Sequence, residues 1–107
     1  MDTDADILAK VTNIGNFLEL ALYKNSLDDW SLAKDLGELL IRIDAEEMMG
    51  HALLTRACRH MGDYERAHKE LSICRALVTR RGATESEREL FLPVLAEEEK
   101  QLDRVGK

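Results

Sequence analysis

Large apolar residues recur three, four or seven positions apart along most of this chain, which places them on one face of an α-helix. Phe17 with Leu20 and Ala21, Leu39 with Ile43, Ile73 with Leu77, and Leu95 with Leu102 follow this spacing. The pattern predicts a first helix from Asp4 or Ala5 to Lys24, interrupted near Asn13, Gly15 and Asn16, which are weak helix formers. A second helix spans about Asp29 to Ile43. A third starts after Asp44, with Glu47 three residues on completing a capping-box pattern. A fourth runs from Tyr64 to about Arg80, and Gly82 suits its C-terminal stop. In the tail, Thr84 and Glu87 form a second capping box, opening a helix over about 84–104. Pro93 is expected to kink or divide it, because proline removes a backbone donor and clashes with the preceding turn. The predicted fold class is all-α, about five helices in a single domain over 1–107.

The blocks also repeat. Shifted by 34 residues, the stretch SLDDWSLAKDLGELLIRI falls on HMGDYERAHKELSICRAL. Asp29 then meets Asp63, Trp30 meets Tyr64, Ala33 meets Ala67, Leu39 meets Ile73 and Ile43 meets Leu77. This resembles the tetratricopeptide repeat, a helix-turn-helix unit of about 34 residues. The resemblance implies repeat one over about 14–47, repeat two over about 48–81 and a C-terminal capping helix, stacked as a short right-handed solenoid. Both copies are degenerate: Gly37 stands where a large apolar residue is usual, His51 replaces an aromatic and Thr79 replaces a proline.

Packing physics explains the spacing. Antiparallel helices approach closely where side chains are small, the role expected of Ala21, Ala33, Thr55 and Ala67. Gly62 permits a tight turn and Asp63 can cap the following helix. Tyr64 and Leu71 are expected on its buried face, filling the gap between repeats.

Composition adds constraints. The 107 residues are 45% hydrophobic and 34% charged, as in a globular domain rather than a disordered chain. No apolar run is long enough for a membrane helix, and the acidic start is unlike a secretory signal, so a cytoplasmic location with reduced Cys58 and Cys74 is expected. The net charge of −6 divides into +4 over His51–Arg81 and −10 elsewhere, a poor general nucleic-acid binder.

Several chemical motifs are approached without being completed. The TESERELFLPV stretch resembles the opening helix of LuxR-type DNA-binding domains, but Ser86 interrupts the pattern and no recognition helix follows. Asp2, Asp4 and Asp6 alternate as in an EF-hand loop, yet Ile7 and Asn13 stand where glycine and glutamate are required, so a role at the start of helix one is expected. His51, His60 and His68 lie nine and eight residues apart, not the four of a metal-binding helix face. Neither a metal, a cofactor nor a catalytic set is predicted.

The remaining candidate is the concave face. By the resemblance, the first helix of each repeat lines a binding groove, here through Gly15, Leu18, Leu22 and Asn25, then Met49, Ala52, Arg56 and Arg59. Leu18 and Leu22 replace the first two residues of the lysine–asparagine clamp with which some relatives bind a C-terminal carboxylate, so that activity is not expected. Leu18, Leu22, Met49, Ala52, Arg56 and Arg59 are instead expected to hold another protein, as an apolar floor beside two cations suited to an amphipathic segment with a nearby acid. Two occupants compete with a partner: the chain's own N-terminal segment, through Ile7, Leu8 and Val11, and a second copy of the protein. The expected function is a cytoplasmic adaptor or small chaperone, with a structural homodimer or an accessory regulatory domain as alternatives.

Overall fold

A computed structural model describes residues 3–11 and 13–105. The described residues are all-helical, without strands: α1 (Asp4–Lys10), α2 (Ile14–Leu18), a π-helical turn (Glu19–Tyr23), α3 (Trp30–Ile43), α4 (Met48–His60), α5 (Tyr64–Thr79) and α6 (Glu85–Val105).

The predicted first helix is three short pieces. Thr3 caps α1 through a reciprocal box with Asp6, and Asn13 caps α2 through a bond from the Asn16 amide. Asp4 lies in the first turn and pairs with Arg42 rather than capping, while Asp2 falls outside the described residues. The third helix also starts later than expected. Asp44 accepts from the Glu46 amide in a turn, and Glu47 itself caps α4 by accepting from Met49. Pro93 neither divides nor ends α6, which is helical on both sides of it. The proline ring denies the Glu89 carbonyl its usual i+4 donor.

α4 is the central helix, buried along nearly its whole length. It runs antiparallel to α5, with His51 bonded to Glu70 and Cys74 Sγ directed at the Met48 carbonyl. Its other side crosses α3 at two glycines. A β-carbon on Gly50 would stand 2.7 Å from Ile41 Cγ2 and 3.2 Å from the Gly37 carbonyl oxygen, and one on Gly37 would stand 2.9 Å from Leu54 Cγ. Gly37 therefore fits the place where the repeat pattern expects a bulky residue, because α4 comes too close for one. Ala21, Ala33, Thr55 and Ala67 are fully buried, as the small-residue argument requires.

The turn at Gly62 has φ +83°, and Asp63 caps α5 by accepting from the Arg66 amide. Leu71 is buried, but Tyr64 is 40% exposed, since it occupies the first position of α5 beside the turn instead of facing the core. Trp30 stacks on His60, with ring centroids 4.0 Å apart and planes 5° from parallel. α6 packs on α5 and α4 through Phe91, Val94, Leu95 and Leu102, and so covers the side of α4 expected to be open. No helix of the described residues is long and apolar enough to cross a membrane.

Candidate functional site

The closure is made by one ion triad. Glu98 lies at 0% exposure in the apolar stripe of α6. Its Oε1 accepts from Arg56 Nε at 2.5 Å and from Arg59 Nη2 at 3.0 Å, while Oε2 accepts from Arg59 Nε. Burial pushes the Glu98 carboxyl up, but hydrogen bonds from Arg59 and Arg56, reinforced by their charges, outweigh it and hold the group below the ordinary glutamate value. Arg56 extends further. Its Nη1 donates to the carbonyls of Ala21 and Leu22, at 3.2 and 2.5 Å.

The π-helical turn explains why those carbonyls are free. The Lys24 amide reaches back to the Glu19 carbonyl and the Ser26 amide to Leu20, while Asn25, at φ +51°, reverses the chain. The last carbonyls of a helix lack intrahelical donors and favour a cation. Arg56 thus caps the π-helical turn from α4.

Beside this cap the turn and α6 enclose a half-open cleft of about 600 Å³. Leu22, Leu90, Pro93 and Val94 form its apolar surface, with Arg56 at its base. Lys24 and Asn25 stand on one rim, Glu89 and Glu97 on the other, and Tyr23, 64% exposed, marks the mouth. Asn25 Oδ1 also lies 2.7 Å from His60 Nε2. Burial, followed by the charge of Arg59, lowers the His60 pKa. Asn25 thus links the cleft lining to the Trp30–His60 stack.

Of the six residues expected to bind a partner, the cleft contains Leu22 and Arg56. The other four do not line it. Ala52 is fully buried, Leu18 and Met49 are half-buried against the core, and Arg59 is tied to Glu98 with a side chain 13% exposed. The cleft is thus narrower than the six-residue groove expected, with Arg59 engaged by Glu98 of α6. The N-terminal segment packs on α3, placing Ile7 and Val11 in the core while Leu8 stays exposed. The residues missed from the sequence are Leu90, Pro93 and Val94, together with Glu98. A glutamate on the same helical face as Leu95 and Leu102 was the available signal, since a carboxylate in an apolar stripe needs a cationic partner.

A second buried polar group is structural. His51 Nδ1 lies 2.7 Å from Glu70 Oε2, and Nε2 lies 2.7 Å from the Ala45 carbonyl. A carbonyl only accepts, so Nε2 is the donor to Ala45. Arg66 joins Glu70 to Glu38 at 3.4 Å on each side, linking α3 to α5. Cys58 and Cys74 are both buried free thiols; burial raises the pKa of each, that of Cys74 to about 12. Among the described residues no group of three His, Cys, Asp or Glu side chains is placed to hold a metal ion.

No protein-family model matches the chain, and neither the curated proteins nor the solved structures contain a match. The fold is thus that of an all-helical protein with an ion triad joining α4 to α6 and a cleft beside a π-helical turn.

Proposed function

We propose that this chain is a non-enzymatic protein-interaction module, a cytoplasmic adaptor or small chaperone that holds a helical or extended segment of another protein in the cleft between the π-helical turn and α6. The observation that carries the reading is the cleft itself: apolar Leu22, Leu90, Pro93 and Val94 between charged rims, with exposed Tyr23 at its mouth. Apolar surface framed by polar groups and an aromatic anchor suits a partner's side chains. The antiparallel packing of α3, α4 and α5 and the buried small residues support two degenerate tetratricopeptide-like repeats, stacked as a short solenoid with α6 as the cap.

The test is parallel affinity capture from the native cell with the wild type, Leu90→Glu in the cleft and Ile43→Glu on an exposed site away from it. A partner held by the wild type and Ile43→Glu but lost with Leu90→Glu, at unchanged helical content by circular dichroism, supports the reading. The same set of proteins on all three contradicts it.

Self-association is a second reading. Met61 and Tyr64, 48% and 40% exposed, follow His60 in the turn beside the Trp30 stack, an aromatic edge of the kind enriched in interfaces. Light scattering across a wide concentration range separates the two readings: a mass that doubles with concentration supports the dimer.

A further inference from the structure

Arg56 is 2% exposed, and two of its three nitrogens are engaged. Nε donates to Glu98, and Nη1 donates to the carbonyls of Ala21 and Leu22. Nη2 has no acceptor among the described residues. No enclosed side-chain nitrogen or oxygen there lacks a partner, so Nη2 is not sealed in the core, and Arg56 lines the cleft. The charge at the base is uneven as well. Two guanidiniums share the Glu98 carboxylate, and the helix-end carbonyls add partial negative charge. A buried cation with a free donor facing a cavity is satisfied by an anion.

The walls set what else such an anion carries. Leu22 adjoins Arg56, and Leu90, Pro93 and Val94 continue the apolar surface along α6. Lys24 stands on the same rim as Asn25, 62% exposed and only loosely paired with Glu19 at 3.9 Å. Glu89 and Glu97 face from the opposite wall, where Glu97 accepts a bond from Gln101. They repel an anion from the α6 side and leave the Arg56 end as its seat. A cleft of about 600 Å³ is within the size range of small-molecule sites.

We propose that the cleft is a binding site for a small aliphatic carboxylate, its head accepting from Arg56 Nη2 near Lys24 and its tail lying along Leu90, Pro93 and Val94. This goes beyond the docking of a protein segment and does not depend on it.

The experiment is a methyl and arginine side-chain NMR titration of the full chain with three probes of equal tail length: octanoate, octanol and octylamine. Octanoate is expected to give saturable shifts at Leu22, Leu90, Val94 and the Arg56 guanidinium. Octanol, lacking the charge-assisted bond, is expected to bind at least about tenfold more weakly, and octylamine more weakly still. Equal binding of octanoate and octanol, or octanoate shifts confined to other parts of the molecule, overturns the proposal. Leu90→Glu places a carboxylate in the cleft and is expected to remove the octanoate shifts; octanoate affinity unchanged in that variant also overturns it. The three-probe comparison stands on the wild type alone if the variant does not fold. A partner lost with Leu90→Glu alongside wild-type indifference to octanoate defeats this inference while leaving the protein-docking reading intact.

Discussion

Arg56 and Glu98, 42 residues apart in sequence, form a hydrogen-bonded pair at 2.5 Å, with side chains 2% and 0% exposed. Through this pair the last helix is fixed to the central one, and the same arginine caps the π-helical turn. A residue expected to face a partner thus holds the fold together and keeps one nitrogen for the cleft.

Removing Glu98 should destabilise the protein strongly. Glu98→Ala leaves Arg56 buried without its counter-charge, and breaking such a pair costs about 3–5 kcal/mol. Arg75→Ala, which breaks an exposed pair with Glu99, should change stability by less than about 1 kcal/mol. Urea unfolding of the two variants measures the contrast; similar losses would deny the triad its role.

The same pair sets an acid dependence. Because the folded-state pKa of Glu98 is lowered from an ordinary value of 4.5, its contribution is present above that value and is lost as pH falls through the folded value below it. The stability advantage of the wild type over Glu98→Gln should therefore shrink as pH falls below 4.5. A difference that stays constant through the acid range is the contrary result.

At the α3–α4 crossing the expectation runs against helix propensity. Alanine in a helix interior is about 1 kcal/mol better than glycine, but overpacking typically costs about 1–3 kcal/mol. With its β-carbon 2.7 Å from Ile41 Cγ2 and backbone close behind, Gly50→Ala should lower the melting temperature. A rise would mean that the two helices lie further apart.

The thiols offer a kinetic check. Cys58 and Cys74 are enclosed, and the thiolate that reacts is disfavoured at both. Alkylation under native conditions should be slow and limited by opening of the fold, then immediate in denaturant. Rapid native labelling of Cys74 would contradict its packing against Met48.

Most of the helices were legible in the sequence because their signals are local. Asp63 caps α5, Gly62 takes the positive φ of its turn, and Thr84 with Glu87 closes the predicted box at α6. The failures were tertiary. The π-helical turn depends on Arg56 arriving from α4 to satisfy its carbonyls, a contact 34 and 35 residues away that periodicity does not carry. Of the kink or division expected at Pro93, the division does not occur, since α6, packed on α4 and α5, runs through it. The site was half legible: Leu22 and Arg56 lie on the predicted face, whereas the α6 wall belongs to a segment read only as a cap.

The most direct test of the account is a double-mutant cycle between Arg59 and Glu98, measured by urea unfolding of the wild type, Arg59→Ala, Glu98→Ala and the double variant. If the triad fixes α6 to α4, the two changes are coupled by about 1–3 kcal/mol. Additive losses would place Glu98 away from Arg59 and leave α6 without this anchor to α4.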